Sequence, residues 1–353
     1  MAKSKKPPVF EHLFWNRYDE KGTRSDRWDK ETATIPDNKR LVYSNEISSA
    51  IAATKAKLGD NQPANFAKDF LRKKSRSKNW PKSLVDARWT MKQQTGRDDS
   101  NGRARHFLWK PYSGEQTDPF PDEWPIPADY DKHAMQSVTI SVASKQIARL
   151  DEPRLMQIVA ELRIVETHFA LYSPLSTDDF KVVHMDHLQM GLKLRGSEID
   201  GLYLADFQDR AGARHPALIT VEAKKHDEFV ITSQVISQIE HASALGVTSE
   251  IIVPIALKHA NGGVFVFEYA PFQLPATGIL PKDSIDEDAL RRVSTVFYEV
   301  RPEMVGLSKS AKRPKTAKTS NGFQLTLVET EPDPSITDGD DDDDDDDEDA
   351  DRE

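Results

Sequence analysis

Apolar residues recur along the chain with two periods, and these periods predict where helices and strands lie. In the N-terminal part, helical spacing covers residues 45–59 and 63–74. Two stretches, 88–96 and 104–112, flank a turn rich in Gly and Asp and predict a hairpin. Two helices followed by a basic hairpin are typical of a winged-helix-like DNA-binding module. A small α+β domain with a basic surface fits the same pattern.

The C-terminal part predicts a mixed α/β domain. One long helix begins near Asp151, and Glu166 falls within its apolar stripe. A buried carboxylate needs a partner or a metal, whereas at the rim of the stripe its head would lie in solvent. The remaining predicted elements are strands 188–196, 197–207 and 217–225, a helix over 231–246, and strands 249–257 and 262–270. The first six of these elements have the order α, β, β, β, α, β.

Composition divides the chain into five segments. Residues 111–130 hold five prolines and no periodicity, which predicts an interdomain linker. The segments are a loosely structured basic arm (1–44), a DNA-binding module (45–110), the linker (111–130), an α/β domain (131–305) and a tail, first basic and then acidic, that we expect to be disordered (306–353).

The net charge of −10 is a sum over segments of opposite sign. The stretch from Asp338 to Glu353 carries 13 acidic residues and one arginine, whereas residues 1–110 carry 25 Lys or Arg against 13 Asp or Glu. Concentrated positive charge indicates a polyanionic partner, although a solvated surface explains it as well. Tryptophans in or beside this segment can stack on bases, but a core position is favoured: Trp80, Trp89, Trp109 and Trp124.

Several functional classes are disfavoured. The chain has no cysteine and no apolar run long enough to cross a bilayer, so we expect a cytoplasmic protein without a membrane partner. A G-x-x-x-x-G-K phosphate loop is also absent, which argues against an ATP-driven motor. His184 and His187 lack a third ligand at a suitable spacing, so a strand or loop is favoured over a metal pair.

The stretch "ALITVEAKK" combines a core strand with two charged residues. Alternation sends Ile219, Val221 and Ala223 to one face and places Glu222 and Lys224 together on the other. On the preceding strand Asp200 would lie beside Glu222 if the two strands pair as a hairpin. Two adjacent carboxylates repel each other, and a divalent cation is the usual resolution.

These motifs resemble the PD-(D/E)xK nuclease superfamily, which has the restriction-endonuclease-like fold. The resemblance covers roughly residues 150–270 and depends on "SEIDGLY", on "VEAKK" and on the following helix with Gln234 and Gln238. Ile199 stands where the family name has proline, a position that varies within the superfamily.

The resemblance implies a restriction-endonuclease-like αβββαβ core that binds Mg²⁺, or alternatively Mn²⁺. Lys224 would position or activate the attacking water, and Gln238 would be the glutamine that such families use on the helix after the E-x-K strand. The implied metal ligands are the side chains of Asp200, Glu222 and Glu166 and the carbonyl of Ala223.

The implied activity is hydrolysis of phosphodiester bonds in double-stranded DNA by a magnesium-dependent endonuclease. A type II restriction-like or other defence nuclease fits best, because a separate DNA-binding module is present and no helicase is. The alternatives are a repair or recombination nuclease, and a non-cleaving DNA-binding regulatory protein with a nuclease fold. A homodimer is a further expectation of the resemblance.

Overall fold

The chain divides into two compact units within the linker segment, between Pro121 and Asp122. The structure, a computed structural model, describes residues 6–18, 24–27, 40–56, 63–72, 75–94, 104–112, 114–146, 150–177, 179–194, 197–260, 262–281 and 284–307. The predicted tail therefore lies outside the described residues from 308 onward. Both units combine helices and strands, which confirms the mixed α/β class.

The N-terminal unit contains the predicted helices and hairpin. Strands β3, β5 and β4 form an antiparallel sheet in that order, and β1 pairs with β2. The elements are α1 (Pro7–Trp15), β1 (Asn16–Tyr18), β2 (Arg24–Arg27), β3 (Leu41–Tyr43), α2 (Ser44–Thr54), α3 (Pro63–Arg72), α4 (Lys82–Asp86), β4 (Trp89–Gln93) and β5 (Arg105–Pro111).

Aromatic rings fill the core of this unit. Phe10 of α1 packs against the rings of Phe70, Trp80 and Phe107, with centroids 4.9 to 6.0 Å apart. The prediction of a loose arm over 1–44 is therefore wrong for α1, because this helix supplies core residues. The core position favoured for three of the tryptophans is confirmed, since each is at most 5% exposed: Trp80, Trp89 and Trp109.

The C-terminal unit is built on one mixed sheet. The strand order is β6-β13-β11-β10-β9-β8-β7, and β12 pairs with β10. Its elements are β6 (Asp131–Gln136), α5 (Val142–Lys145), α6 (Glu152–Glu161), α7 (Ile164–Leu171), β7 (Phe180–Leu194), β8 (Ser197–Asp209), β9 (Arg214–Lys224), α8 (Thr232–Ser243), β10 (Ile251–Ala260), β11 (Gly263–Tyr269), β12 (Phe272–Gln273) and β13 (Arg292–Arg301).

Both faces of this sheet are covered. Helices α6 and α7 contribute to the core on one face, together with Ile219 and Val221, while α8 packs on the other against Leu218 and Ile252. Strands β7, β8 and β9 form an antiparallel meander, and α8 connects β9 to the parallel strand β10. A central strand buried on both faces reads as a nearly continuous apolar run, which explains the composition of β9.

The predicted long helix from Asp151 is wrong, because it is two helices. Asp151 caps α6 by accepting the N–H of Arg154 at 2.9 Å. The helix ends at Glu161, and Arg163 adopts a left-handed conformation with φ of 52° before α7 begins. Glu166 therefore belongs to α7, and the stripe spacing that extended from Leu155 no longer applies to it.

Three of the strands that the structure describes in this sheet are missing from the sequence prediction: β6, β12 and β13. Strand β13 carries Val296, Tyr298 and Val300 as alternating buried residues, a period-2 signal that was present in the sequence. Strand β6 is a largely exposed strand that pairs with β13 and has no such alternation. His184 and His187 lie on β7, so the strand alternative for them is confirmed.

Candidate active site

The carboxyl-terminal end of β9 presents an acid and a base on the face that α8 covers. Ile219, Val221 and Ala223 face the core beneath α6 and α7, as the alternation predicts. Glu222 and Lys224 are turned to the opposite face, where they are only 4% and 5% exposed. Two charged side chains buried to this degree need direct partners.

Lys224 is surrounded by carboxylates. Its Nζ lies 2.6 Å from Oε1 of Glu222 and 3.2 Å from Oε1 of Glu152, the first residue of α6. Burial alone lowers the pKa of Lys224. The carboxylates of Glu222, Glu152 and Asp200 outweigh burial and raise this pKa, so the ammonium group stays charged.

Asp200 lies beside Glu222, as strand pairing predicts. The register that joins Gly201 to Val221 brings the beginning of β8 beside the end of β9, and the N–H of Ala223 donates to Oδ2 of Asp200 at 2.7 Å. Burial raises the pKa of Asp200 well above its ordinary value, and the negative charge of Glu222 raises it further. Burial and the neighbouring carboxylate thus disfavour the ionised form of Asp200.

Gln238 of α8 orients the carboxylate of Glu222. Its Nε2 donates to the carbonyl oxygen of Glu198 at 3.0 Å and also to Oε2 of Glu222. The side chain is 1% exposed, so these hydrogen bonds are sheltered from water. Gln234, one turn earlier, has a buried Oε1 that accepts no hydrogen bond from the described residues. The structure thus brings Gln238 into the site and gives Gln234 no comparable contact.

Glu166 is not brought into this cluster. Its Oε1 lies 3.4 Å from Nε of Arg163, and its Oε2 has no hydrogen-bond partner among the described residues. The negative charge of Glu166 affects Tyr203 instead. Burial raises the pKa of Tyr203, and the charge of Glu166 raises it further. The helix break at Arg163 is the physical reason that Glu166 is misplaced in the sequence prediction.

Glu152 is the residue that sequence reasoning missed. It is the acid of the first helical turn, directly after the capping residue Asp151. Acidic residues are common there because they complement the helix dipole, so the position carries no functional signal by itself. Only its distance to Lys224 distinguishes it from an ordinary first-turn acid.

The donor chemistry of the site fits a hard divalent cation. Asp200 and Glu222 supply carboxylate oxygens and Ala223 a carbonyl, the oxygen ligands that Mg²⁺ and Mn²⁺ accept. Among the described residues, no group of three or more His, Cys, Asp or Glu side chains is placed to hold a metal ion. Two carboxylates and a carbonyl form a smaller set, in which a bound cation would stabilise the ionised form of Asp200 beside Glu222.

Comparison of the chain with known protein families, curated proteins and solved structures found no match. None of the helices in the described ranges is long and apolar enough to cross a membrane. Any functional assignment therefore depends on the chemistry of the residues at the end of β9.

Proposed function

We propose that this protein is a magnesium-dependent DNA endonuclease of the PD-(D/E)xK type, and within that class a restriction-like or other defence nuclease. The observation that supports the proposal is the pairing of buried Glu222 and Lys224 at the end of a core strand, with Asp200 hydrogen-bonded to Ala223 between them. Burying an ion pair gains little stability, and buried charged groups with shifted pKa values are common at catalytic sites.

Each side chain has a role that follows from its contacts. Lys224, kept charged by its carboxylate neighbours, donates to the attacking water or to a phosphate oxygen. Gln238 fixes the orientation of Glu222, and the N–H of Ala223 fixes that of Asp200. A divalent cation, when bound by Asp200 and Glu222, would polarise the phosphoryl oxygen and lower the pKa of a water molecule.

The N-terminal unit supports a DNA partner through its charge. Residues 1–110 carry a net charge of +12, obtained from 25 basic and 13 acidic residues. Its tryptophans Trp80, Trp89 and Trp109 are committed to the core, so phosphate contacts by Lys and Arg are the expected mode of binding. In this proposal the unit docks on double-stranded DNA and the C-terminal unit cleaves it.

Incubation of the full chain with several plasmids and Mg²⁺ tests the proposal. We expect cleavage by the wild type, none by Lys224→Ala, and wild-type cleavage by Lys225→Ala, which removes the neighbouring lysine. Circular dichroism confirms that each variant is folded. Sedimentation tests the expected homodimer, since cutting both strands usually calls for two active sites.

The products decide among the alternatives. Discrete fragments support a site-specific, restriction-like enzyme, and a smear favours a repair or recombination nuclease of low specificity. Binding without cleavage would favour a regulatory protein with a nuclease fold. Neither binding nor cleavage, with a folded protein, would overturn the proposal.

A further inference from the structure

Three side chains between helix α7 and the edge of the large sheet each carry a buried polar atom that has no hydrogen-bond partner among the described residues. These atoms are Oε2 of Glu166 on α7, Nε2 of His187 on β7 and the hydroxyl oxygen of Tyr203 on β8. A buried polar atom without a partner is unfavourable, so each one calls for an explanation. Three of them on neighbouring elements indicate one shared partner that binds all three.

Strand pairing brings the two aromatic rings together. The antiparallel register of β7 and β8 pairs His187 with Tyr203, and residues paired in this way point to the same face of the sheet. The two rings stack with centroids 4.5 Å apart and an angle of 26° between their planes. Tyr203 is fully buried in the core beneath α6 and α7, so both rings lie on the face that these helices cover.

Glu166 approaches the same place from the helix. Helix α7 packs against β7, and Oε1 of Glu166 lies 3.4 Å from Nε of the exposed Arg163. The other carboxylate oxygen is the buried one. Burial is the main cause of the raised pKa of Tyr203, and the charge of Glu166 raises it further, so the carboxylate lies within electrostatic reach of the phenol.

The two histidines of the stretch "HMDH" have different surroundings. Nε2 of His184 lies 2.9 Å from Oδ2 of Asp186, and both side chains are more than half exposed. Asp186 precedes His187 directly on β7, so strand alternation turns it, with His184, to the opposite face. Only His187 therefore belongs to the group with Glu166 and Tyr203.

The donor atoms of this group suit a transition-metal ion. Zn²⁺ accepts imidazole nitrogen and carboxylate oxygen, whereas Mg²⁺ takes oxygen ligands, so the nitrogen of His187 distinguishes this group from the donors at the end of β9. Only Glu166 and His187 are of the usual ligand types, and the phenol of Tyr203 is required as the third ligand. A cation lowers the pKa of a group that it binds, which opposes the effect of burial on Tyr203.

Solvent reaches the group from the edge of the sheet. Among the described strands, β7 is the last of the sheet on this side. The side chain of Glu166 is 19% exposed and His187 is half-buried, whereas Tyr203 lies beneath them at 0% exposure. An ion can thus enter from the edge and keep a water molecule as its fourth ligand, as zinc does in sites with three protein ligands.

We propose that Glu166, His187 and Tyr203 form a second metal site, separate from the one at the end of β9, and that it binds Zn²⁺. The bound ion would join α7 to β7 and β8 and so fasten the edge strand to the helix. Its ligands must lose their protons, so binding releases the phenol proton of Tyr203 to solvent. This site does not depend on the nuclease function, because its test measures metal binding.

Isothermal titration calorimetry of the full chain with zinc chloride, in excess Mg²⁺, tests the proposal. We expect wild type to bind one Zn²⁺ at this site. Glu166→Gln and His187→Phe should each weaken binding by at least about 100-fold, the upper end of the cost of losing an outer partner of a ligand. The phenylalanine keeps a ring on Tyr203 and removes the nitrogens. The matched control His184→Phe, on the other face of β7, and Asp200→Asn, in the other site, should both keep the binding.

Two further measurements report on the ligands. Zn²⁺ should raise the melting temperature of wild type and leave that of His187→Phe almost unchanged, because the ion stabilises only a folded state that binds it. Ultraviolet difference absorption should show a phenolate when wild type binds Zn²⁺ and none in Tyr203→Phe. Circular dichroism confirms that each variant is folded before its binding is compared.

The outcomes decide where the ion binds. A folded wild type that binds no Zn²⁺ would overturn the proposal and leave water as the shared partner. Binding that Glu166→Gln and His187→Phe both retain would overturn it as well. Loss in Asp200→Asn together with full binding by His187→Phe would place Zn²⁺ at the end of β9 and sink the second site. Loss in Glu166→Gln and His187→Phe, with binding kept in His184→Phe and Asp200→Asn, would support it whether or not the protein cleaves DNA.

Discussion

The ammonium group of Lys224 lies 3.2 Å from the carboxylate of Glu152, which precedes it by 72 residues. This contact joins the first turn of α6 to the end of β9, so the helix and the strand hold the candidate site together. Burial raises the pKa of Glu152, but the positive charge of Lys224 outweighs it and the net pKa is lowered. The pair therefore stabilises the charged forms of both groups.

Replacing Glu152 by Gln should lower the stability at neutral pH by about 1–3 kcal/mol, because a charge-assisted hydrogen bond to a buried lysine is lost. Since the folded-state pKa of Glu152 is lowered, its contribution is present above the pKa of an unfolded glutamate. It disappears as the pH falls through the lowered value. Urea unfolding at neutral and acidic pH measures both parts of this expectation.

The matched control for Glu152→Gln is Glu161→Gln, at the exposed end of the same helix. A surface substitution of this kind should change the free energy of unfolding by no more than about 0.5 kcal/mol at either pH. A Glu152→Gln variant as stable as the control at neutral pH would contradict the importance of the Lys224 contact.

Asp200→Asn should make the metal-free protein more stable at neutral pH, by about 1 kcal/mol, the usual scale for replacing a strained functional residue. The folded-state pKa of Asp200 is raised, so the wild type loses stability as the pH rises through that value, and asparagine does not. This difference in stability between Asp200→Asn and wild type should vanish in acid, where Asp200 is protonated in both the folded and the unfolded protein. Thermal unfolding in EDTA across pH measures it.

Adding Mg²⁺ to the same two proteins tests the metal. A ligand that binds the folded state raises the melting temperature with its concentration. Wild type should therefore be stabilised by Mg²⁺, whereas Asp200→Asn should respond less. An equal response of both proteins would contradict the assignment of Asp200 as a ligand.

The sequence predicts the site residues that lie on strands better than those that lie on helices. Asp200, Glu222 and Lys224 are placed by a period of two and by hairpin pairing, which local sequence determines once the strands are recognised. The positions of Glu152 and Glu166 depend on where helices begin and end. Arg163 carries no glycine or proline signal, although its left-handed conformation breaks the helix.

Strands β13 and β6 show the same limit of prediction from local sequence. Strand β13 has alternating buried residues that a stricter count of the period would have found, whereas β6 has none, because an exposed strand buries little. The position of Lys258 beside Lys224 also depends on register between strands 34 residues apart. No local pattern specifies that register.

Gln238→Leu should reduce cleavage by about 10–100-fold, the usual cost of losing a residue that orients a metal ligand. The reason is that Gln238 donates to Glu222 from a position with 1% exposure. Gln234→Leu, one turn away on α8, is the control and should retain most activity. Steady-state cleavage rates for the folded variants measure the difference. Comparable losses in both would show that α8, rather than the hydrogen bond to Glu222, is what matters.

Glu268 anchors α7 to the sheet, away from the candidate site. This fully buried residue of β11 accepts from Oγ of Ser173 at 2.7 Å and lies 2.8 Å from Nε2 of His168. The other ring nitrogen of His168 lies 3.2 Å from the hydroxyl of Tyr298 on β13. The carboxylate of Glu268 is thus the hydrogen-bond partner of both His168, in α7, and Ser173, just beyond α7, inside the core.

Glu268→Ala should destabilise the C-terminal unit by about 2–5 kcal/mol, because buried polar groups of Ser173 and His168 lose their partner. Glu268→Gln keeps the shape and one acceptor oxygen, so its cost should be smaller. The control Glu299→Gln removes a partly exposed carboxylate that pairs with Arg301, and should cost less than about 1 kcal/mol. Urea unfolding of the four proteins ranks them, and a Glu268→Ala variant no less stable than Glu299→Gln would contradict the anchoring role, since exposed and buried carboxylates would then contribute alike.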